Sequence, residues 1–498
     1  MATHQGEGLS DLLFAGCAVC VQWYAPFRFP VTPIVTPCIA SRKPVVRYAS
    51  PIICLMVALS GLFVFTSMAS AADMQPLADY VAEKDDAFRW VVRREGKIGA
   101  TEYVELTLTS QKWKETLWKH QLFVIKPSTA KKETNHALFV IEGGSWHPRL
   151  AGPAPAADGL PREAPMFAGI AEQLGTPVAV LLQVPHQPIF GGRVEDAAIA
   201  HTFAQYLRTG DDQWPLLLPM VKSAVRGMDA VQQFAKRDWE MKLDAFTVTG
   251  ASKRGWTTWL TGAVDPRATA IAPMVIDVLN MAPQMEHQLH AWGDYSRMID
   301  DYTRLGLQKH LATEGGKHLR SIVDPYEYRD RIKQPKLIML GTNDDYWPVD
   351  ALNLYWDDLV GEKFILYVPN NRHGLRDLGR MGGTVNALHK HTNGGPKLPK
   401  LTWKFTETED SVKLRVESDV KPNRVQVWTA ASDTRDFRPS RFDSSIAKEV
   451  EGGYEYDLAK PESSYGVFFG EAVFNGDPLA FYLSTNVFVC EPDEKNKQ

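Results

Sequence analysis

The sequence predicts an α/β fold built on a mainly parallel sheet, followed by a small β-sandwich. From about residue 137, short apolar runs without strict alternation are separated by helical stretches, a pattern typical of parallel strands buried on both faces. After about Gly394 this pattern stops, and strand-like segments follow one another with turn residues between them. The change from one architecture to the other is therefore expected near Gly394.

The composition is that of a globular chain without a bias toward a charged partner. The 498 residues are 44% hydrophobic and 23% charged, with 55 Lys and Arg against 59 Asp and Glu. Nucleic-acid-binding proteins usually carry a basic excess, so nucleic acid is not expected as a partner. At about 100–200 residues per domain, the length corresponds to two or three domains.

Residues 1–71 predict a leader and a cleaved signal peptide. The apolar run Ile52–Phe65 has the length of a secretory core and is too short for a transmembrane helix. Basic residues precede this run and Ala69-Ser70-Ala71 follows it, which predicts cleavage after Ala71 or one residue later. The pattern favours a periplasmic or secreted protein without a stable membrane anchor. A buried strand or a short anchor is the alternative interpretation.

The cysteines favour an exported chain without disulfides. Cys17 and Cys20 form a C-x-x-C pair in the leader, but no second pair or His cluster accompanies them. Cleavage would remove four of the five cysteines and leave Cys490, which cannot form an internal bridge alone. Whether residues 1–40 are translated stays open.

A single α/β domain is predicted over residues 72–394. A long amphipathic helix is expected between Trp214 and Lys236, and a second over Lys253–Thr261. Residues 280–320 contain no strand pattern and predict a helical cap. Two antiparallel strands are expected first, over Glu102–Thr109 and Leu117–Ile125. Six strands of a parallel sheet are expected to follow, over Ala137–Ile141, Val178–Gln183, Ala245–Thr249, Ala268–Val275, Leu337–Leu340 and Lys363–Val368.

A β-sandwich is predicted over residues 398–498, after the linker Gly394-Gly395-Pro396. Helical periodicity is absent from the sequence of this region, whose length of about 100 residues suits a small sandwich. The expected strands are Thr402–Phe405, Val412–Val416, Arg424–Thr429, Tyr454–Asp457, Gly466–Phe474 and Ala480–Val489.

Ser252 is the candidate nucleophile. It lies in Gly250-Ala251-Ser252-Lys253-Arg254-Gly255, between a predicted strand and a predicted helix. A serine on such a sharp turn presents its hydroxyl at a helix N-terminus, where backbone N–H groups can stabilise an oxyanion. The motif departs from G-x-S-x-G, because Arg254 occupies the usual second glycine position and Gly255 comes one residue later.

Asp344 and His373 complete a candidate triad. Each follows a predicted parallel strand, so both are expected at the same sheet edge as Ser252. The chain order Ser, Asp, His is that of the α/β-hydrolase fold. His373 would act as the base and Asp344 would orient it. Asp345 is the competing acid, and its alternative role is to support the site or to cap a helix.

The oxyanion hole is predicted from Lys253, Gly144 and Ser145. The N–H of Lys253 directly follows the nucleophile, and Gly143-Gly144-Ser145 follows an early strand. An ordinary Gly-Gly turn is the alternative for that loop. The side chains of Lys253 and Arg254 would favour an anionic substrate or form a salt bridge.

Metal and cofactor sites are not expected. His147, His186, His287 and His290 lack the spacing of a metal site, and no dinucleotide-binding or phosphate-binding motif is present. Trp256, Trp259, Trp292 and Trp347 would wall the site or pack in the core.

Several motifs resemble the PhoPQ-activated pathogenicity-related protein family, from about residue 75 to the C-terminus. They are Gln183–Pro188, Leu218–Ala224, Gly250–Trp256, Gly341–Asp344 and Ala430–Arg438, although His186 stands where the family would have Asn. The resemblance implies an exported α/β-hydrolase-like protein and strengthens the assignment of Ser252. It implies no substrate.

Two function classes remain. The first is an exported serine hydrolase that cleaves an ester or peptide acyl bond of a small-molecule substrate through a covalent acyl-enzyme. The second is a non-catalytic exported binding or resistance protein on a hydrolase scaffold, because a fold does not fix a function. The sequence leaves open the choice between ester and peptide, the oligomeric state and the role of the C-terminal domain.

Overall fold

The structure, a computed structural model, describes residues 76–155 and 159–492. The predicted leader, signal peptide and cleavage site lie outside the described residues. Within the described ranges, no helix is both long enough and apolar enough to cross a membrane.

The main sheet has nine strands in the order β1-β2-β3-β5-β4-β6-β7-β8-β9. The pairs β1–β2, β2–β3 and β3–β5 are antiparallel, and the strands from β5 to β9 run parallel. This order confirms the predicted α/β class. The strands are β1 Arg89–Ile98, β2 Thr101–Trp113, β3 Thr116–Lys126, β4 His136–Ile141, β5 Val178–Leu181, β6 Ala245–Ala251, β7 Ala268–Met274, β8 Lys336–Gly341 and β9 Lys363–Val368.

Every residue of β4, β5 and β8 is buried, as expected for strands covered on both faces. β1 was not predicted, because only one of its ten residues is buried and its sequence is largely charged. The two predicted antiparallel strands are confirmed as β2 and β3, with Leu106 opposite Leu122.

Nine α-helices belong to the described residues, and short 3-10 helices accompany them. The predicted helix between Trp214 and Lys236 forms as α4, and its buried face packs into the main hydrophobic core. The helices are α1 Pro76–Ala82, α2 Ala164–Leu174, α3 Glu195–Thr209, α4 Leu217–Asp238, α5 Lys253–Val264, α6 Met281–Trp292, α7 Asp300–Thr303, α8 Glu314–Val323 and α9 Leu378–Thr392.

The segment between β7 and β8 is helical, as the sequence predicts for the cap. Helices α6, α7 and α8 lie there together with 3-10 helices at Arg297–Ile299 and Leu307–His310. Gly293 ends α6 in the left-handed region at φ 73°, where a glycine adopts the backbone without strain.

The C-terminal residues form two antiparallel sheets, with orders β10-β11-β15-β14 and β13-β12-β16-β17. β18 also pairs with β16. The strands are β10 Leu401–Glu407, β11 Ser411–Ser418, β12 Arg424–Ser432, β13 Asp443–Ile446, β14 Lys448–Val450, β15 Gly453–Ala459, β16 Tyr465–Phe474, β17 Phe481–Ser484 and β18 Phe488–Cys490.

The prediction of one strand over Ala480–Val489 is wrong, because the structure divides it into β17 and β18. At the break, the Thr485 hydroxyl accepts a hydrogen bond from the Gly470 N–H at 2.9 Å, in place of a backbone carbonyl. The chain then bends and pairs again with β16 at Phe468. The buried Cys490 is a free cysteine.

The C-terminal strands pack against one end of the main sheet. One hydrophobic cluster contains Leu337 and Leu366 of the main sheet together with Phe468 and Leu483 of the C-terminal sheets. The backbone N–H of Tyr367 also donates to the Ser484 hydroxyl at 3.0 Å. The loops that follow β8 and β9 therefore lie beside the C-terminal region.

Candidate active site

Ser252 lies on the turn between β6 and α5 with φ 58° and ψ −123°, outside the conformations that a serine ordinarily adopts. Glycines on both sides allow this turn. A Cβ at Gly250 would lie 2.8 Å from the carbonyl oxygen of Arg254, and one at Gly255 would lie 2.8 Å from that of Met274. The glycine three residues after the serine is thus a packing requirement, which explains the departure from G-x-S-x-G.

The side chains of Ser252, His373 and Asp344 form a continuous hydrogen-bonded series. His373 Nε2 lies 2.8 Å from Ser252 Oγ, and His373 Nδ1 lies 3.0 Å from each carboxylate oxygen of Asp344. Asp344 follows β8 and His373 follows β9, while Ser252 follows β6. Three residues that are remote in sequence therefore meet at the edge where these parallel strands end.

The acid and base loops are also tied to each other. The Asn343 N–H donates to the carbonyl of Asn371 at 3.0 Å, and the Asn370 N–H donates to the Thr342 hydroxyl at 2.8 Å. A Cβ at Gly341 would collide with the carbonyl of Asn371. The glycine at the end of β8 therefore permits the close approach of the two loops.

Asp345, the competing acid, points to a different partner. Its Oδ1 accepts from Arg372 at 3.1 Å, and no hydrogen bond joins its side chain to His373 within the described residues. Burial raises the pKa of Asp345, an effect that Arg372 partly offsets. The geometry therefore favours Asp344.

Tyr346 supports both Asp344 and His373, a role that the sequence did not reveal. Its backbone N–H donates to Asp344 Oδ1 at 2.8 Å, and its ring lies 4.1 Å from the His373 ring between centroids. The Tyr346 hydroxyl donates to Asp196 at 3.3 Å. A tyrosine in a loop carries no distinctive spacing, so no pattern in the sequence indicates this role.

The three predicted oxyanion-hole residues lie on two adjoining segments. Lys253 is the first residue of α5, so its N–H has no partner within that helix. Gly144 and Ser145 follow β4, whose Ile141 pairs with Gly250. Neither Gly144 nor Ser145 donates a backbone hydrogen bond within the described residues, and neither lines the cavity beside Ser252.

The cations beside Ser252 are paired with carboxylates of α3. Lys253 Nζ lies 2.8 Å from Asp196, and the Arg254 guanidinium donates to both Glu195 oxygens, at 2.6 and 2.8 Å. Burial alone would raise the pKa of Glu195, but Arg254 and Lys253 outweigh it and lower the value to about 2. Both cations thus hold the turn in place.

A cavity of about 110 Å³ adjoins Ser252 and His373. Its wall includes residues of the cap, together with Trp256 and Trp347. Trp259 instead packs in the core without exposure, and the Trp292 ring lies against Arg438. Two of the four candidate tryptophans therefore wall the cavity.

The four histidines considered as metal ligands have other contacts or lie apart. His287 Nε2 lies 2.7 Å from Asp350, His186 Nδ1 lies near the Lys119 backbone, and His147 caps the 3-10 helix at residues 148–151. His290 lies 4.0 Å from Glu491. Over residues 76–155 and 159–492, no group of three His, Cys, Asp or Glu side chains could hold a metal ion.

The model of the PhoPQ-activated pathogenicity-related protein family matches residues 77–438. The chain belongs to this family. A relative of this PhoPQ-related chain, autocrine proliferation repressor protein A of Dictyostelium discoideum, is 32% identical over 453 residues. That alignment covers 83% of this chain and 88% of the relative.

Among solved structures, acetyl xylan esterase from Paenibacillus sp. R4 is 14% identical to this PhoPQ-related chain, with a TM-score of 0.42. The match covers 60% of this chain and 86% of that one. Acetyl xylan esterase 1 from Thermoanaerobacterium sp. JW/SL YS485 is 15% identical, with a TM-score of 0.37, over 61% and 88% of the two chains. Similarities of this size carry no conclusion about the substrate of this chain.

In this PhoPQ-related chain, the segment after β12 reaches back to the acid loop. The Asn343 side-chain amide donates to the backbone carbonyls of Phe437, Arg438 and Ser440, at 3.2, 3.2 and 2.7 Å. Asn370 forms a reciprocal pair with the backbone of Phe442, at 2.8 and 2.9 Å. The sequence stretch Ala430–Arg438 had signalled only a family resemblance.

The same segment contacts the cap. The Arg438 guanidinium lies 3.9 Å from the centre of the Trp292 ring, and Arg435 donates to Asp350 at 2.7 Å. His287 of α6 binds the other oxygen of Asp350. Residues 435–442 therefore join the C-terminal region, the two loops that carry Asp344 and His373, and the cap.

Proposed function

We propose that this protein is a serine hydrolase that cleaves an ester or peptide acyl bond of a small-molecule substrate through a covalent acyl-enzyme. The observation that carries the proposal is the hydrogen-bonded series from Ser252 Oγ through the His373 ring to the Asp344 carboxylate. A serine that is buried for structural reasons needs neither a strained turn nor an imidazole held by a carboxylate.

In the acylation step, His373 Nε2 takes the proton of Ser252 as Oγ attacks the carbonyl carbon of the substrate. The carbonyl electron pair moves to its oxygen, where the Lys253 N–H and a donor from Gly144 or Ser145 would stabilise the charge. Asp344 fixes the imidazole orientation and stabilises the imidazolium. Collapse of the intermediate breaks the bond to the leaving group, which receives the proton from His373.

In the deacylation step, a water molecule attacks the acyl carbon and His373 takes its proton. The acyl bond to Ser252 breaks, and Oγ recovers the proton from the imidazole. The products are a carboxylic acid and the alcohol or amine released earlier.

A fluorophosphonate probe tests this proposal. The wild-type protein is expected to form a covalent adduct on Ser252, observed by intact mass and by peptide mapping. Ser252→Ala should abolish the adduct, whereas Ser444→Ala, at an exposed position on β13, should label as the wild type does. A folded wild-type protein that never labels would overturn the proposal.

A second candidate is a non-catalytic binding or repressor protein, and the name of the Dictyostelium relative favours it, because that name describes a repressor. Under this candidate, the wild-type protein and Ser252→Ala would repress cell proliferation equally, and neither probe labelling nor turnover would occur. Loss of the repression in Ser252→Ala together with loss of labelling would instead favour the hydrolase.

We also propose that the chain is exported with cleavage after Ala71 or one residue later. The support is the order of a basic segment, the apolar run Ile52–Phe65 and Ala69-Ser70-Ala71 in the sequence. Intact mass of the protein from the cell envelope or medium should give an N-terminus at Ala72 or Asp73. A full-length mass in that fraction would contradict the cleavage.

A further inference from the structure

The cavity beside Ser252 is bordered mainly by apolar side chains of the cap and of the helices beneath it. Ser252 and His373 form one part of the wall, and the rest comes from α3, α5, α6, α7, α8 and the loops between the elements. The apolar wall includes Phe203, Trp256, Met285, Leu311, Leu319 and Trp347. An enclosure of this kind, open to the reacting atoms at one end, is typical of a site for part of a small ligand.

The charged groups near Ser252 are already paired with one another. Asp196 accepts from Lys253 at 2.8 Å, from the Tyr302 hydroxyl at 3.0 Å and from the Tyr346 hydroxyl at 3.3 Å. A charged substrate group entering beside Ser252 would lose its hydration where the nearest charges are already paired, whereas an apolar group would not incur that cost.

The remaining polar residues of the wall lie at the cap side, between residues 308 and 320. Gln308 donates to the Thr303 hydroxyl at 3.0 Å, and Arg320 lies 3.8 Å from Glu327. His310 is exposed. The interior between this side and Ser252 is therefore the apolar part of the cavity.

We propose that this cavity binds an apolar acyl group of the substrate, so that the enzyme prefers acyl groups larger than acetyl. The inference rests on the proposed hydrolase function. The acyl group, not the leaving group, is assigned to the cavity because it stays bonded to Ser252 in the acyl-enzyme, whereas the leaving group must depart. At about 110 Å³ the cavity is smaller than an engineered apolar cavity of roughly 150 Å³ that binds benzene, so an acyl chain of about four to six carbons, or at most one phenyl ring, is the expected size.

The test uses p-nitrophenyl esters from acetate to decanoate. Because each buried methylene contributes about a fourfold gain, kcat/KM is expected to rise from acetate to about hexanoate and then to level off or fall. Equal values for acetate and hexanoate in an active enzyme, together with equal values for N-acetyl phenylalanine and N-acetyl glycine methyl esters, would overturn the proposal while leaving the hydrolase function intact.

Two variants on the same helix locate the effect. Met285→Trp fills the cavity from α6 and should lower kcat/KM for hexanoate more than for acetate, so that the preference for hexanoate is lost. Leu289→Trp is the matched control, because Leu289 is exposed on α6 and does not line the cavity. If Met285→Trp keeps the full chain-length preference, the acyl group lies elsewhere and the proposal is wrong.

A binding measurement separates failure of the cavity from failure of the catalytic function. Ser252→Ala cannot form the acyl-enzyme, so calorimetry with methyl hexanoate and methyl acetate measures binding alone. Tighter binding of the hexanoate with a negative heat-capacity change, lost in the Ser252→Ala, Met285→Trp double variant, would support the cavity even without turnover. Equal binding of the two esters would contradict it.

The apolar group can belong to an aliphatic acyl chain or to the side chain of an acyl amino acid. N-acetyl phenylalanine and N-acetyl glycine methyl esters distinguish these sources. A preference for the phenylalanine ester that Met285→Trp abolishes, beside a flat response to aliphatic chain length, would assign the cavity to a peptide side chain. The opposite pattern would assign it to an aliphatic acyl group.

Discussion

The two halves of the candidate site are held by different parts of the molecule. The Ser252 turn is fixed by the close packing of Gly250 and Gly255 and by the pair between Arg254 of α5 and Glu195 of α3. The loops of Asp344 and His373 depend on the segment after β12, through Asn343 and Asn370. The nucleophile is thus positioned by contacts within the α/β region, and the acid and base also by contacts made about 70–100 residues later.

This difference separates a turn that a short local motif marks from two loops whose supports lie far away in the sequence. A short motif whose own residues set its backbone conformation can be recognised in a sequence, because glycines and a serine at fixed spacing are sufficient. A loop that is positioned by distant carbonyls has no such signature. The predictions below test whether the two halves respond differently to substitution, starting with the largest expected effect.

Asp344→Asn is expected to lower kcat/KM by about 10³–10⁴-fold, because the amide would hold the wrong tautomer of His373. Asp345→Asn is the matched control and should stay within about threefold of wild type, since Asp345 pairs with Arg372. Steady-state kinetics with a p-nitrophenyl ester measure both. A larger loss of kcat/KM in Asp345→Asn than in Asp344→Asn would assign the acid role to Asp345.

Gly255→Ala should lower kcat by about 10²-fold through displacement of Ser252, because the added methyl group would press on the carbonyls of Met274 and Gly250. The free energy of unfolding should fall by about 1–3 kcal/mol. Gly382→Ala on α9 is the control, since a Cβ there meets nothing within 4 Å. Kinetics and denaturant unfolding compare the two variants. Equal kcat and equal free energy of unfolding would show that the close packing of Gly255 does not position Ser252.

Asn343→Ala should reduce kcat about tenfold with little change in KM, because it releases the acid loop from residues 437–440 without touching the cavity. The loss of these buried hydrogen bonds should also cost about 1–3 kcal/mol of stability. Asn423→Ala, which removes an exposed pair with Asn475, serves as the control. A stability loss with unchanged kcat in the folded enzyme would mean that the segment is purely structural.

The smallest expected effect is on the thermal stability of the protein at acid pH, through Glu195 beside the Ser252 turn. The pKa of Glu195 is about 2 in the folded protein against an ordinary value of 4.5. Its stabilising contribution is therefore complete above about pH 4.5 and is lost as the pH falls through 2. Thermal unfolding midpoints should fall less steeply in this window for Glu195→Gln than for wild type. An exposed control, Glu449→Gln, should retain the wild-type slope.

Much of the sheet could be predicted because burial on both faces leaves continuous apolar runs. β4, β8 and β9 were located within about one residue at each end, and these strand ends brought Asp344 and His373 into consideration. The short strand β13 was missed because all four of its residues are exposed, so neither burial nor alternation marks it.

The supporting contacts of the site could not be predicted in the same way. Asp344 and Asp345 are adjacent and identical in type, and only their directions in space distinguish them. The partners of Asn343 are backbone carbonyls. Because every residue has one, the sequence does not indicate which carbonyls Asn343 contacts. The paired state of Lys253 likewise depends on Asp196, 57 positions earlier, whose role no local motif indicates.

Arg438 contacts both the cap and the loop that carries Asp344. Its guanidinium rests on Trp292 of α6, while its own carbonyl receives the amide of Asn343 beside the acid. Lifting α6 to admit a bulky molecule would draw on the same residue that steadies the carboxylate. The position of α6 and the orientation of the Asp344 carboxylate are therefore coupled through one residue.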